Sequence, residues 1–279
     1  MIVYINGEYL PHSEARISPL DRGFLHGFGA FETLRSYNGK IFMLDDHVKR
    51  LKGALHSLNI KPPRVIDNLQ EILGRLLKLN KLRDARLRAT VTAGHNEPAV
   101  LCTSGELPPY GEELYSKGAS VILIDDPEKY HHGFLRIKST SYLGNIMVRD
   151  EARRRGALEA IICHPVHGPI ECSMSNLFII EEGRILTPPL FLPILPGITR
   201  DVVVKMAAGL DLPVVEITFT RNRLMQCDEV FITNSLMEVM PVTNIDKKII
   251  GDGKPGKITL EILNRYHKVV NNAAQDSGE

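Results

Sequence analysis

The chain has no tryptophan, and aromatic residues of all kinds make up only 6% of its 279 residues. Proteins that hold single-stranded nucleic acid stack bases on aromatic platforms, so that class is disfavoured. A charge excess is also missing: 34 Lys+Arg against 33 Asp+Glu leave a net charge of +1, whereas a general nucleic-acid binder carries a basic surplus. No apolar run reaches the ~18 residues that a membrane span needs. Met1-Ile2-Val3-Tyr4-Ile5-Asn6-Gly7 has neither a basic n-region nor a long apolar h-region, so no signal peptide is expected. Cys102, Cys163, Cys172 and Cys227 are scattered with no CxxC spacing, and no HExxH occurs. A disulfide framework and a metal site are therefore not expected, and reduced thiols in a cytoplasm are the default. His131-His132 has no third ligand nearby.

What is present is ordinary globular chemistry. Hydrophobic residues are 43% and charged residues 24%, enough apolar chain for a sizeable core. At about 150 residues per domain the length suggests two domains. Composition leaves a soluble two-domain protein, most readily an enzyme.

Pattern then organises the chain. Asn6-Gly7 between residues 2–5 and 8–10 is a two-residue hairpin signal. Leu20 to Gly29 is glycine-dense and reads as a constrained loop entering a strand, Ala30 to Ser36, with a turn at Tyr37-Asn38-Gly39-Lys40. Asp45 is placed to cap a helix carrying Val48, Leu51, Leu55 and Leu58, and a second helix runs from about Val65 to Leu79. Residues 86–92 alternate as a strand with Arg86, Arg88 and Thr90 on one face. Residues 103–113 read as a loop, and Val121 to Ile124 as a strand. The second half predicts helices near 145–155, 198–209 and 258–271, and strands at 158–163, 177–180, 214–219 and 229–233. The expected division is a small α/β domain over 1–126, an interdomain loop over 127–135, and a larger domain over 136–279.

Four constellations can carry chemistry. In Ile137-Lys138-Ser139 a lysine sits among apolar and hydroxyl residues, where burial would make the amine nucleophilic toward a carbonyl; alone, a surface lysine is the commoner explanation. Glu171, followed by Cys172-Ser173-Met174-Ser175-Asn176, places a carboxylate that could pair with a cationic ring nitrogen. Leu195-Pro196-Gly197-Ile198-Thr199-Arg200 opens a helix, whose free amides and dipole favour an anion such as phosphate. His47 and Arg50 share a helix, where Arg50 could hold a phosphate but a solvated face is the commoner reading. Gly251 to Lys257 matches the first seven places of a P-loop, yet Ile258 stands where a magnesium-binding Ser or Thr is needed. Arg153-Arg154-Arg155 reads as a solvated helix face.

In their order these pieces resemble the class IV aminotransferase family, the fold-type IV pyridoxal-phosphate enzymes, over nearly the whole chain. The resemblance rests on Asp21-Arg22-Gly23-Phe24, Phe31-Glu32-Thr33-Leu34-Arg35, His47-Val48-Lys49-Arg50-Leu51, Ile137-Lys138-Ser139, Glu171 with Ser175-Asn176-Leu177-Phe178, Leu195 to Arg200, and Asp228 to Asn234. It implies a mixed α/β fold, a small N-terminal domain beside a larger domain built on a barrel-like sheet, a homodimer, and pyridoxal 5'-phosphate as cofactor. Lys138 would form the Schiff base and move the substrate proton, and Glu171 would keep the pyridine nitrogen protonated. Arg50, Gly197, Ile198, Thr199 and Ser235 would serve the phosphate, Leu195 the ring face and Tyr142 the ring oxygen, with Asn234 also among the cofactor-binding residues. Phe31 and Arg88 would meet the substrate, an amine or amino acid, with Arg88 holding a carboxylate from its strand face.

Within the family three activities compete. Branched-chain enzymes carry Phe-Glu-Gly where this chain has Phe31-Glu32-Thr33, and Gly-Thr-Ala where it has Asn234-Ser235-Leu236. D-amino-acid enzymes carry Tyr-Glu-Val at the first site, although Ile137-Lys138-Ser139 and Leu143-Gly144-Asn145 do resemble them. Thr33, the run Thr233 to Val242, and Ala85-Arg86-Leu87-Arg88 resemble 4-amino-4-deoxychorismate lyases. The expectation is the lyase, which eliminates pyruvate and leaves p-aminobenzoate, with Thr33 assisting proton delivery. The alternative is an aminotransferase moving an amino group from a branched-chain or D-amino acid to a 2-oxo acid such as 2-oxoglutarate.

Overall fold

Asn6 and Gly7 both adopt positive φ, 47° and 107°, as a tight hairpin turn requires, and join β1 (Ile2–Ile5) to β2 (Glu8–Pro11). The turn at Asn38-Gly39 is built the same way, with φ of 51° and 85°, between β3 (Gly29–Tyr37) and β4 (Lys40–Ile41). The computed structural model describes residues 1–125, 136–209 and 212–275. The chain divides into two units: Met1–Pro108 with Ile137–Tyr142 and Val270–Glu279, and Pro109–Arg136 with Leu143–Val269.

The first unit is a six-stranded sheet in the order β2-β1-β6-β5-β3-β4, where β5 is Ala85–Thr92 and β6 is Ala99–Gly105. Alternation along β3 and β5 gives it two unlike faces. Ala30, Leu34, Leu87, Ala89 and Val91 join a buried cluster with Leu51 and Leu55 of α2 (Leu44–Ser57) and Leu73, Leu76 and Leu77 of α3 (Leu69–Leu79). Phe31, Thr33 and Arg35 alternate with these along β3 and stand in register with Thr90, Arg88 and Arg86.

Several expectations shift here. Asp21 accepts the amides of Gly23 (2.6 Å) and Phe24 (3.3 Å), so the expected glycine-rich loop holds a short helix, α1 (Arg22–His26), closed by Gly27 at φ 64°. Met43, not Asp45, is the N-cap of α2; Asp45 lies in the first turn, where the helix dipole favours a carboxylate. The expected helix from Val65 begins as a 3-10 turn, Arg64–Asn68, before α3. The expected loop over 103–113 contains the end of β6 and the start of α4 (Glu112–Lys117), because β6 follows β5 in unbroken register from Ala99↔Thr92 to Gly105↔Arg86.

In the second unit, β7 (Ala119–Ile124), β8 (Glu159–His164), β9 (Gly168–Cys172), β10 (Asn176–Glu181), β13 (Glu229–Asn234) and β14 (Glu238–Ile245) form a ring. The ring closes where Asn176 of β10 pairs with Glu171 of β9. Val121, Leu123, Ile161, Leu177, Ile179, Ile232 and Met240 pack together in one buried cluster. The strands β11 (Arg184–Thr187), β12 (Val214–Glu216) and β15 (Lys248–Ile249) extend the sheet. Around them lie α5 (Leu143–Arg154), α6 (Ile198–Ala208), α7 (Arg221–Gln226) and α8 (Lys257–Gln275). The strand expected over 214–219 ends at Glu216, and β9, β11 and β14 are additions to the sequence reading.

The division between the units falls at Pro108, earlier than the expected 126. The cause is β7, which pairs in parallel with both β14 and β8. The expected 127–135 linker and His131-His132 lie outside the described residues. Residues 137–142 return to the first unit: Thr140 N–H donates to the Gly29 carbonyl (2.9 Å), and Ala30 bridges Ser139.

Among the described residues no helix is long and apolar enough to cross a membrane. All four cysteines are buried, and burial pushes the Cys102, Cys163 and Cys227 thiols up to about 12, which makes them inert at neutral pH.

Candidate active site

The strand face that carries Phe31 positions the first unit's reactive groups. Phe31 N–H donates to the Lys138 carbonyl at 2.9 Å, tying the lysine to β3. Lys138 Nζ then lies 4.8 Å from the Phe31 ring centroid and 5.3 Å from that of Tyr142. The two rings meet edge to face at 5.1 Å. Arg88 Cζ stands 3.6 Å from the same Phe31 centroid, and its Nε donates to Thr90 Oγ1 at 3.1 Å. Phe31 is thus flanked by an amine and a guanidinium, with Thr33 directly across from Arg88. Burial, with Arg86 nearby, lowers the Arg88 pKa below the usual guanidinium range; it stays charged at any working pH.

The opposite face of β3 holds Glu32, buried at 2% exposure. Arg50 grips it bidentately, Nε to Oε1 and Nη2 to Oε2, both at 2.7 Å. His47 Nδ1 lies 2.7 Å from Oε2. Burial would push the carboxyl up, but Arg50's charge and hydrogen bonds, with those of His47, outweigh it and hold Glu32 at about 2. Burial depresses the His47 pKa despite Glu32, so the neutral ring donates its N–H to the carboxylate. The solvated-face reading of His47 and Arg50 is therefore overturned: His47 is 2% exposed, and the Arg50 side chain 13%. Glu32 is the residue that sequence reasoning missed as an organiser, and its parity with the buried Ala30 and Leu34 was the available signal.

In the second unit, the barrel's closing pair clamps one residue. Glu171 Oε2 accepts the Leu195 N–H at 2.9 Å, and Asn176 Nδ2 donates to the Leu195 carbonyl at 2.9 Å. Two residues later Gly197 caps α6, with no side-chain hydrogen bond to the cap, so the amides of Ile198 and Thr199 open the helix without a side-chain acceptor. Gly197 is required sterically, because a Cβ there would collide with Asn176 Oδ1. Thr199 is 3% exposed. A helix start left open in this way offers amide donors and the positive end of a dipole to an anion.

The loop beside it is braced from below. Glu159, 1% exposed, accepts from Ser173 Oγ, from Met174 N–H (3.0 Å) and from Ser175 Oγ (3.2 Å). Burial raises its pKa in spite of these bonds. Sequence reasoning missed Glu159; a carboxylate inside the apolar run 158–163 was the signal. Asn234 does less at first hand than expected. Its Oδ1 accepts the amides of Leu236 and Met237, both at 2.9 Å, and its Nδ2 donates to Met174 O and Ser175 Oγ, both at 3.3 Å. It shapes the turn that carries Ser235 rather than pointing a spare group outward.

The P-loop likeness dissolves on the same logic. The α8 amides of Ile258 and Thr259 already donate to Glu229 at 3.1 and 2.8 Å, so a protein carboxylate occupies the place a phosphate would need. Arg154 and Arg155 pair with Glu151 at the surface, as a solvated face does.

Residues 29–245 match the family described as amino-transferase class IV. An aminodeoxychorismate lyase of Bacillus subtilis (strain 168) is 33% identical over 290 residues, covering 99% of this chain and 97% of that protein. A D-alanine aminotransferase of Listeria innocua is 33% identical over 280 residues, covering 95% of each. A crystal structure of the T.th. branched-chain amino acid aminotransferase with pyridoxamine 5'-phosphate superposes with a TM-score of 0.89 at 28% identity, covering 99% of this chain and 95% of that one. Each unit by itself offers chemistry that suits part of a phosphorylated, carbonyl-bearing pyridine: in the second, the buried Glu171 carboxylate and the open helix N-terminus at Gly197; in the first, the ring-flanked amine of Lys138. The chain belongs to the class IV aminotransferase family of pyridoxal 5'-phosphate-dependent enzymes.

Proposed function

We propose that the chain is a 4-amino-4-deoxychorismate lyase. The observation that carries this reading is the cross-strand pair Thr33↔Arg88 beside Phe31, a hydroxyl opposite a guanidinium next to the ring that flanks Lys138. Elimination needs a base at the amine-bearing carbon, a proton for the departing oxygen and a cation for a carboxylate, and these three residues supply them.

When bound, the cofactor provides an electron sink for the carbon that loses its proton. Lys138 would anchor it and would take the proton from the amine-bearing carbon of the substrate. Glu171 would hold a proton on the pyridine nitrogen, and Leu195, clamped at both backbone groups, would pack on the ring face. The Ile198 and Thr199 amides, Ser235 and Arg50 would meet the phosphate, with Glu32 and His47 fixing the Arg50 guanidinium. Tyr142 would sit near the ring oxygen. As the C–H bond breaks, its electron pair forms the ring double bond and the C–O bond to the enolpyruvyl group opens. The departing oxygen takes a proton, which Thr33 is placed to deliver, and the released enol becomes pyruvate. Arg88 would hold a substrate carboxylate through this step.

The sequence similarity to a D-alanine aminotransferase keeps amino transfer as the competing outcome. The test supplies aminodeoxychorismate in one arm, following p-aminobenzoate and pyruvate. The other arm supplies D- and L-amino acids with 2-oxoglutarate. The lyase reading expects p-aminobenzoate without amino transfer, and a rate at least about tenfold lower in Thr33→Ala. Fast amino transfer with no p-aminobenzoate would overturn it.

A further inference from the structure

Beyond Arg88, the same strand face carries more cationic charge than one carboxylate needs. Its cross-strand rows can be read outward from Lys138. Phe31 pairs with Thr90, then Thr33 with Arg88, then Arg35 with Arg86. Successive rows on one face are about 7 Å apart. Two arginines directly opposite each other on an antiparallel pair repel, as like charges there do. Arg86 also bears on Arg88, whose pKa it helps to lower, after burial.

No hydrogen bond or ion pair joins Arg86 or Arg88 to a carboxylate of the described residues. On its other side Arg86 is in register with Gly105 of β6. Arg86 Nη2 lies 3.8 Å from where a Gly105 Cβ would stand, so the guanidinium spreads over a position with no side chain. Arg35 Cζ is stacked over the Tyr37 ring at 4.5 Å, which lies one row further along the same face of β3.

We propose that Arg86 forms a second anion subsite for a carboxylate carried one strand row beyond the one at Arg88, so that the site selects elongated substrates with two carboxylates. This rests on the reading of the Lys138 face as the substrate face. It makes Arg86 a specificity-determining residue, while Arg88 serves any carboxylate substrate.

The test is calorimetry on the cofactor-loaded protein at fixed ionic strength, with adipate and glutarate as two-carboxylate probes and butyrate as the one-carboxylate probe. The expected result is tighter binding of adipate than of butyrate. Arg86→Gln should weaken adipate about tenfold while butyrate stays within about twofold, Arg88→Gln should weaken both, and Arg86→Lys should recover part of the adipate affinity. Equal affinity for the probes in the unaltered protein, no change in Arg86→Gln, or an equal loss for both probes would overturn the proposal. Turnover to p-aminobenzoate judges the lyase reading and binding of non-reacting acids judges this one, so either can fail alone.

Discussion

Glu32 keeps its charge at about 2 because Arg50 and His47 meet both of its oxygens. That arrangement makes stability depend on pH in a direction that can be worked out. His47 is held neutral, its folded pKa below the ordinary value by burial. As pH falls below about 6.5 the unfolded chain takes up a proton at this histidine that the folded chain does not, so stability is lost in that window. The Glu32 contribution is intact there: a depressed carboxylate stabilises above its unfolded value near 4.3 and is lost only as pH falls on toward about 2. The melting temperature is therefore expected to fall between pH 7 and pH 5, with a shallower slope in His47→Gln, measured by circular dichroism. An unchanged slope would place the titration elsewhere.

At the scale of elements, the start of α6 shows how a strand pairing and a helix cap depend on one another. Glu171 and Asn176 close the barrel as a register pair, hold Leu195 by its N–H and its carbonyl, and so set Gly197 against Asn176 Oδ1. The φ of Gly197 is −71°, which alanine tolerates, so Gly197→Ala isolates the steric effect from backbone strain. Overpacking of this kind costs about 1–3 kcal/mol. Gly197→Ala is expected to lower stability by that amount and to weaken pyridoxal 5'-phosphate binding, followed by fluorescence titration. Unchanged affinity would separate the helix start from the cofactor.

Much of this was legible beforehand, for identifiable reasons. Hairpin and turn positions declared themselves through Asn-Gly pairs, and the Arg86, Arg88, Thr90 face through strict alternation. The order of the motifs pointed to Lys138, Glu171 and the helix at 198. What escaped depends on contacts between residues distant in sequence. Glu159 works through partners 14 to 16 positions on. β9 opens on Gly168-Pro169 and β14 contains Pro241, both of which argue against a paired strand; the β7 partner stretch in β14 begins only at Val242. α1 is five residues long, too short for periodicity to register, and is specified by the Asp21 cap instead.

For the molecule as a whole, 33% identity to both a lyase and an aminotransferase fits a scaffold that fixes the cofactor chemistry and leaves the outcome to substrate contacts, for which Thr33, Arg86 and Arg88 are the residues proposed. That division holds only if a single lysine carries the cofactor. The direct measurement is borohydride reduction of the protein loaded with pyridoxal 5'-phosphate, followed by peptide mass mapping. One phosphopyridoxyl group is predicted, on the peptide containing Lys138, and Lys138→Ala is predicted to lose both the label and the visible absorbance. A label on another lysine, or a Lys138→Ala protein that keeps its colour after dialysis, would contradict the account.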